Sequence, residues 1–285
     1  MTDATLRPRR SVLYMPSSNA RALEKAKTIA ADAIIFDLED AVAPDAKELA
    51  REQACAAVAS GEYGDRELTI RCNGLDTPWG EDDLRAAGAA GPAAVVVPKV
   101  SGTQHLDRVA ALLPDGTAIW AMVETPTAVF DVRAIAAHPS VAALVLGTND
   151  LAKELRAALV PGRGPLLPHL ATALLGAREA GKVVLDGVYN DVKDLEGFEA
   201  ECRQGAELGF DGKTLVHPSQ VEVANRVWAP TDAEVEHARR VVDAFAQAEA
   251  EGRGVVVVDG RMVENLHRDN ALRTLAVADA IAALA

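Results

Sequence analysis

The chain has 285 residues, of which 29 are Lys or Arg and 42 are Asp or Glu, so its formal net charge at pH 7 is −13. This acidic balance argues against a nucleic-acid-binding protein, because a duplex-binding surface needs clustered Lys and Arg to displace counterions. The longest apolar stretches, such as 141–147 and 255–258, fall far short of the ~20 residues needed to cross a bilayer, so no membrane span is expected.

Short apolar runs alternate with longer stretches of helical spacing along most of the chain. The runs predicted as strands are 11–15, 33–38, 68–72, 94–98, 118–123, 142–146, 183–187 and 214–217. The segments predicted as helices are 21–31, 45–59, 80–90, 103–113, 127–137, 167–180, 195–208 and 220–227. Continuous apolar strands are typical of a parallel sheet that is buried on both faces. Eight strand–helix units predict an α/β fold, a (β/α)8 TIM barrel.

The alternative fold is a doubly wound open sheet. That fold places a glycine-rich turn after its first strand when it binds a dinucleotide. Here the residues at that point are Pro16-Ser17-Ser18-Asn19, so the barrel is the preferred prediction.

The last part of the chain reads as an extension of the barrel. It predicts a helix over 233–251, a strand over 255–258, a turn at Asp259-Gly260 and a helix over 268–284. Pro230 followed by helix N-cap candidates marks the junction. We therefore expect a barrel over 1–228 and a C-terminal helical lid extension over 229–285.

Two further features bear on the cellular setting. The three cysteines, Cys55, Cys72 and Cys202, have no CxxC spacing and are predicted to be buried thiols. The N-terminus is polar and has no apolar signal region, which indicates a cytoplasmic protein.

Polar residues close the predicted strands, at the end of a barrel where active sites lie. They are Asp37, Glu39, Asp40, Arg71, Asn73, Lys99, Glu124, Asn149, Asp150, Asp186 and His217. So many carboxylates at one mouth repel one another unless a cation compensates. Oxygen ligands without a His or Cys cluster suit Mg²⁺. Glu124 and Asp150, which end adjacent predicted strands, are the predicted ligands.

Capping and ion pairing are the alternative interpretation of the same acids. Asp150 would then cap a short turn, and Glu124 would pair with Lys99 or Arg71. For any single acid, capping or ion pairing and a functional role carry about equal weight. The whole set of acids at the strand ends favours a functional role.

Arg71 ends a largely apolar strand, which would hold its guanidinium at the mouth. There it could grip a substrate carboxylate with two parallel hydrogen bonds. It could also neutralise Glu39 or Asp37, and the two roles are compatible. The sequence thus predicts an acidic, oxygen-rich substrate.

Eight segments carry a family resemblance and occur in the family's order. They are SVLYMP at 11–16, IIFDLEDAV at 34–42, IRCNGLD at 70–76, VVPK at 96–99, MVETP at 122–126, GTNDL at 147–151, GFDGK at 209–213 and VHP at 216–218. The chain resembles the citrate lyase β-subunit and malyl-CoA lyase group of CoA-ester lyases, the HpcH/HpaI aldolase family. The resemblance covers nearly the whole sequence.

The resemblance implies a magnesium-dependent barrel enzyme that makes or breaks the carbon–carbon bond between an acetyl-CoA unit and a 2-oxo acid. It also implies a homotrimer or homohexamer. By the same resemblance, Glu124 and Asp150 bind the ion, Arg71 holds the oxo-acid carboxylate, and Asn149 lines the pocket through its backbone.

The resemblance also implies where coenzyme A binds. Tyr14 and Lys25 fall where the family holds the CoA portion, with Lys25 facing a phosphate. A solvent-facing helix lysine with no such role is the alternative for Lys25.

In such enzymes the segment after the barrel covers a neighbouring subunit's active site and contributes an acidic residue. The matching segment is DGRMVENLH at 259–267, and Glu264 occupies the acidic position, where relatives often carry Asp. The extra methylene shifts the carboxylate by about an ångström, which is enough to alter rate or outcome. The alternative is that Glu264 is only a charge at a helix N-terminus.

The leading functional expectation is retro-Claisen cleavage of malyl-CoA, citramalyl-CoA or citryl-CoA. The segments 147–155, 186–190 and 263–267 look closer to the (3S)-malyl-CoA thioesterase branch, so hydrolysis is the first alternative. A malate synthase activity, a class II pyruvate aldolase and a non-catalytic or complex-bound subunit are the others. The sequence does not choose among glyoxylate, pyruvate and oxaloacetate as the acid half.

Overall fold

The structure, a computed structural model, describes residues 7–250 and 256–284. The chain divides into two compact units. One is Arg9–Arg226, and the other contains the described residues from Val227 onward together with Arg7 and Pro8. No helix within the described ranges combines the length and apolar character needed to span a membrane.

Eight parallel strands of the first unit close into a barrel, in which each strand pairs with the next and the last pairs with the first. They are β1 (Ser11–Pro16), β2 (Ala33–Asp37), β3 (Glu67–Arg71), β4 (Ala94–Val97), β5 (Ile119–Val123), β6 (Val141–Leu146), β7 (Val183–Asp186) and β8 (Gly212–Leu215). The predicted (β/α)8 TIM barrel is confirmed.

The helices of this unit alternate with the strands. They are α1 (Ala20–Ala26), α2 (Lys47–Ala59), α3 (Gly80–Ala90), α4 (Thr103–Ala110), α5 (Pro126–Phe130), α6 (Val132–Ala137), α7 (Thr148–Leu155), α8 (Leu167–Glu179), α9 (Leu195–Leu208) and α10 (Val221–Val227). The helix predicted over 127–137 is in fact two, because the backbone leaves the helical region at Asp131 (φ −94°, ψ 5°). Helix α7 was not predicted, since its first residues were interpreted only as a polar strand end.

Alternate residues of each strand point into the barrel. The inward-facing apolar residues form one buried cluster, which contains Val12, Ala33, Ile35, Ala94, Val96, Trp120, Met122, Ala143, Val145 and Leu185. Asp37 lies two residues after Ile35 at the end of β2, and Glu124 lies two residues after Met122, immediately beyond β5, so both share the orientation of these core residues. The alternation that builds the core therefore also aims the mouth residues inward.

The second unit consists of two helices and a hairpin. These are α11 (Asp232–Ala250), β9 (Val256–Val258), β10 (Arg261–Val263) and α12 (Asn265–Ala282). The predicted turn at Asp259-Gly260 joins β9 to β10 with φ of +50° and +76°, values that suit a tight hairpin turn. Strand β10 was not predicted, and α12 begins three residues earlier than expected. The predicted positions 1–6, 251, 255 and 285 lie outside the described residues.

The cysteines are free thiols, and Cys72 and Cys202 are buried as predicted. Burial raises the pKa of the Cys202 thiol to about 12. Cys55 on α2 is only half-buried, because it lies on the partly exposed side of that helix.

Candidate active site

A cavity of about 400 Å³ lies within the first unit, at the carboxyl ends of the barrel strands. Five of the predicted site residues line it: Tyr14, Arg71, Glu124, Asn149 and Asp150. Asp37 and Asp40 line it as well. The structure thus brings residues from five different strand ends to one pocket, as the barrel prediction required.

Arg71 and Asp37 form a bidentate ion pair at the mouth. Nε of Arg71 donates to Oδ1 of Asp37 at 2.7 Å, and Nη2 donates to Oδ2 at 2.8 Å. Burial opposes the charge of Asp37, yet the Arg71 guanidinium and two backbone N–H groups hold the pKa of this carboxyl below its usual range. The alternative role of Arg71, neutralisation of Asp37, is therefore present, while its role towards substrate stays a prediction.

Arg71 has two further contacts that shape the mouth. Its Nη1 atom lies 2.8 Å from Oε2 of Glu39, and its guanidinium carbon lies 4.7 Å from the centre of the Tyr14 ring. An aromatic face at that distance attracts a cation. Burial raises the pKa of the Tyr14 hydroxyl, so this side chain stays protonated and neutral at the mouth.

Glu124 is almost fully buried, with 1% of its surface exposed. Its Oε1 atom accepts a hydrogen bond of 2.6 Å from the backbone N–H of Lys99. A Cβ atom placed on Gly147 would overlap the Glu124 side chain, so the glycine leaves room for it. Burial, reinforced by the nearby Glu39 carboxylate and by Asp150, raises the pKa of Glu124 to about 7.

Local sequence explains why Glu124 stands at the end of β5. Thr125 caps α5, because its hydroxyl accepts from the backbone N–H of Ala128 at 3.1 Å. Pro126 occupies the first helical position, which suits a residue without a backbone N–H. The strand therefore gives way to a helix immediately after Glu124.

The loop after β6 supplies the second carboxylate. Asp150 lies in the first turn of α7 and is half-buried. The side-chain amides of Asn149 and Asn190 exchange two hydrogen bonds of 3.1 and 2.8 Å, which tie this loop to the one after β7. Asn190 was missed by sequence reasoning, since nothing in its local pattern points to a partner 41 positions away.

The donor set at the mouth fits Mg²⁺. Glu124 and Asp150 line the same cavity, and their mutual repulsion contributes to the raised pKa of Glu124. Among the described residues there is no group of three or more His, Cys, Asp or Glu that would form a complete cage. Mg²⁺ usually takes one or two carboxylates and completes its shell with water and substrate oxygens. Neither Glu124 nor Asp150 is bridged by a basic side chain of the described residues within 4 Å, so both carboxylates suit that ion.

Two predicted residues are not among those that line the cavity. Lys25 is exposed in the last turn of α1. Glu264 belongs to the second unit, where it is the N-cap residue of α12, and its backbone N–H donates to Nδ1 of His267 at 2.9 Å. This placement agrees with the alternative interpretation of Glu264, and the catalytic and CoA-binding roles of the two residues stay predictions.

Asp186 closes a strand as predicted but does not line the cavity. It is fully buried beside Arg163 and Lys213, whose side-chain nitrogens lie 2.7 and 2.9 Å from its carboxylate oxygens. Strand alternation predicts this orientation of Asp186. Leu185 faces the barrel interior, so Asp186, the next residue, must face the surrounding helices. The same alternation identifies Thr214 and Val216, which line the cavity and were not predicted.

Comparison with known proteins gives consistent matches. The family model described as HpcH/HpaI aldolase/citrate lyase matches residues 10–218. A (3S)-malyl-CoA thioesterase of Cereibacter sphaeroides is 52% identical over 276 residues, which are 97% of this chain and 96% of the relative. Citrate lyase subunit beta of Escherichia coli K12 is 36% identical over 284 residues, 96% of this chain and 94% of the relative. The crystal structure of CitE from Mycobacterium tuberculosis with magnesium, acetoacetate and coenzyme A superimposes with a TM-score of 0.79 at 29% identity, covering 96% of this chain and all of that one.

Proposed function

The chain belongs to the HpcH/HpaI aldolase/citrate lyase family, and from that premise we propose that it is a magnesium-dependent enzyme that hydrolyses the thioester of (3S)-malyl-CoA. The observation that carries this proposal is the 52% identity to a (3S)-malyl-CoA thioesterase over almost the full length of both chains. The acidic mouth of the barrel supports it, because an acyl group with its own carboxylate needs both a cation and fixed donors to bind there.

Glu124 and Asp150 hold the ion in this proposal. When bound, Mg²⁺ polarises the substrate oxygens that it contacts and neutralises the carboxylates around it. The magnesium in the crystal structure of the relative from Mycobacterium tuberculosis supports a magnesium site in this family. Glu124 contributes a carboxylate that the barrel has already fixed in place, so little ordering is required when the ion enters.

Arg71 orients the acid half of the substrate. Asp37 accepts from Nε and from one N–H of Nη2, and Glu39 lies 2.8 Å from Nη1, so the remaining N–H groups of Nη1 and Nη2 are those that bind a substrate carboxylate. Asp37 thereby keeps the guanidinium plane fixed, and the Tyr14 ring packs against the guanidinium group at 4.7 Å. A cavity of about 400 Å³ encloses a malyl-sized group, while the nucleotide end of coenzyme A lies outside it, near Lys25.

Glu264 serves as the proton donor or acceptor in this proposal, reaching the mouth of a neighbouring copy in a homotrimer or homohexamer. Its charge is exposed and therefore available to a partner. The acid and the ion would then come from different chains, so the isolated barrel would lack one of the two.

Cleavage of the carbon–carbon bond is the second candidate. The 36% identity to a citrate lyase β-subunit favours it. In this reaction a base takes the proton of the substrate hydroxyl, the bond between the two carbons breaks, and the electron pair is left on the acetyl thioester as an enolate, which is then protonated. The products are glyoxylate and acetyl-CoA when the substrate is malyl-CoA.

A product assay separates the candidates. The purified protein is incubated with (3S)-malyl-CoA and Mg²⁺, and the products are identified by liquid chromatography and mass spectrometry. Malate with free coenzyme A supports hydrolysis, whereas glyoxylate with intact acetyl-CoA supports cleavage. Citramalyl-CoA and citryl-CoA, run in parallel, define the acid half. No product from any of the three esters, with Mg²⁺ present, would contradict the proposal and favour a non-catalytic subunit.

A further inference from the structure

Lys99 adopts a backbone conformation that is unfavourable for its residue type. It follows Pro98 just after β4 and has φ of +48°, in the left-handed region. A residue with a Cβ atom enters that region at a steric cost, whereas glycine enters it freely. Backbone strain of this kind persists only where the surrounding structure enforces it, and it is concentrated at functional sites.

The turn at Lys99 gives its backbone N–H a specific partner. This N–H donates to Oε1 of Glu124 across 2.6 Å, a short bond of the kind formed with a charged acceptor. On the opposite side, the Glu124 carboxylate lies against Gly147, where a Cβ atom would overlap it. The carboxylate is thus held between the loops that follow β4 and β6.

The side chain of Lys99 makes a separate and weaker contact. Its Nζ atom lies 3.6 Å from Oε1 of Glu39, and the side chain is 49% exposed. A contact that long and that exposed contributes little orientation. The backbone, not the ammonium group, is therefore the part of Lys99 that determines where Glu124 points.

We propose that Lys99 is a positioning residue for Glu124. Its left-handed turn directs a backbone N–H at one oxygen of the carboxylate, and this hydrogen bond orients the other oxygen to bind a divalent cation. The inference rests on the metal-binding role assigned to Glu124 in the proposed function. Loss of a group that hydrogen-bonds to a metal ligand, without itself contacting the metal, typically lowers metal affinity by about 10–100-fold.

Two substitutions at Lys99 separate the backbone from the ammonium group. Lys99→Gly and Lys99→Val both remove the ammonium group and both keep a backbone N–H. They differ in conformational preference, because glycine enters the left-handed region without a steric cost and the β-branched valine does not. Any difference between the two variants therefore reports on the turn.

Arg156 provides a matched control. It has φ of +54° at the C-terminal end of α7, its side chain is exposed, and it does not line the cavity. Arg156→Gly and Arg156→Val impose the same pair of backbone preferences at a position that does not contact Glu124.

The experiment measures Mn²⁺ binding to the full chain by calorimetry, without any CoA ester. We expect Lys99→Val to bind Mn²⁺ at least about tenfold more weakly than Lys99→Gly, and the two Arg156 variants to bind it equally. Circular dichroism checks that each variant is folded, and Lys99→Ala replaces Lys99→Val if the valine variant does not fold.

Equal Mn²⁺ affinity of Lys99→Gly and Lys99→Val would overturn the inference, and so would an equally large difference between the two Arg156 variants. The result is distinct from that of the product assay. A protein that hydrolyses no CoA ester, yet shows the expected difference in Mn²⁺ binding at Lys99, would contradict the proposed reaction and support the positioning role.

Discussion

Arg71 holds Asp37 through two parallel hydrogen bonds of 2.7 and 2.8 Å, and both side chains are buried. Each charge is therefore the main compensation for the other in a place from which water is largely excluded. The pair also fixes the orientation of the guanidinium group before any substrate arrives.

We expect Asp37→Asn to lower the free energy of unfolding by about 3–5 kcal/mol, because the buried Arg71 charge loses its bidentate partner and keeps only its contacts with Glu39 and Asp40. Urea denaturation followed by circular dichroism measures the change. The control is Asp40→Asn, since Asp40 is 65% exposed and lies 3.5 Å from Nη1 of Arg71. That change should cost less than about 1 kcal/mol. Equal losses of unfolding free energy in the two variants would show that the ion pair of Asp37 with Arg71 does not stabilise the fold more than an exposed contact does.

Gly147→Ala tests the space that Glu124 occupies. The added Cβ atom would overlap the Glu124 carboxylate, so the side chain must move. We expect magnesium-dependent turnover to fall by at least about tenfold, because small displacements of a reacting group have large effects on rate. Gly164→Ala is the matched control, since it meets no atom within 4 Å and has no positive φ. Steady-state kinetics measure the turnover of both variants. Unaltered turnover in Gly147→Ala would contradict the prediction.

Glu39 should give the metal-free protein a characteristic dependence on pH. Burial raises the pKa of its carboxyl from the ordinary 4.5 to about 7, although the Arg71 guanidinium opposes the shift. A group with a raised pKa binds more protons in the folded state, so the stability that it contributes is present below pH 4.5 and is lost as the pH rises through 7.

We therefore expect the free energy of unfolding in EDTA to decline by about 1–3 kcal/mol between pH 4.5 and 7.5 through this group, and Glu39→Gln to remove that part of the decline. Denaturation curves across the pH range measure it. Glu81→Gln is the control, because the Glu81 side chain is 62% exposed. Identical pH profiles for Glu39→Gln and the unaltered protein would argue that the carboxyl titrates normally.

Glu264→Gln distinguishes a chemical role from helix capping. The substitution keeps the shape of the side chain and removes its charge. If Glu264 transfers a proton, turnover falls much more than substrate affinity, which separate kcat and KM values report. If it acts only at the N-terminus of α12, turnover is unchanged and stability falls by less than about 1 kcal/mol. The second pattern would remove Glu264 from the proposed reaction.

Magnesium dependence itself is tested through the two carboxylates. We expect Glu124→Gln and Asp150→Asn each to abolish turnover with Mg²⁺, because each removes a charged ligand while keeping the size of the side chain. Circular dichroism spectra should match that of the unaltered protein. Full activity in either variant, or in the unaltered protein after exhaustive treatment with EDTA, would contradict the assignment.

The barrel could be predicted because its strands are buried on both faces and read as continuous apolar runs. Helix boundaries were less predictable where tertiary contacts decide them. The segment 127–137 has helical spacing throughout, and only the structure shows the break at Asp131. Only Gly147 separates α7 from β6, so the first turn of the helix was interpreted as the strand's polar end.

The acids of the site were predictable from their positions at strand ends, but their partners were not. Pairing of Arg71 with Asp37 depends on the register between β2 and β3, which places the two residues side by side. The contact between Lys99 and Glu124 uses a backbone N–H, which no side-chain pattern reveals. Assignment of Asp186 to the mouth failed because strand alternation was not applied to it.

Asp37 and Glu124 follow the inward-facing alternation of β2 and β5, so the distance between them is a property of barrel geometry and not of the loops above it. Insertions or exchanges in the loops other than those that follow β4 and β6 would therefore reshape the entrance and leave Asp37 and Glu124 in place. A descendant of this chain could thereby acquire a new acyl substrate while Asp37 and Glu124 keep their places at the strand ends.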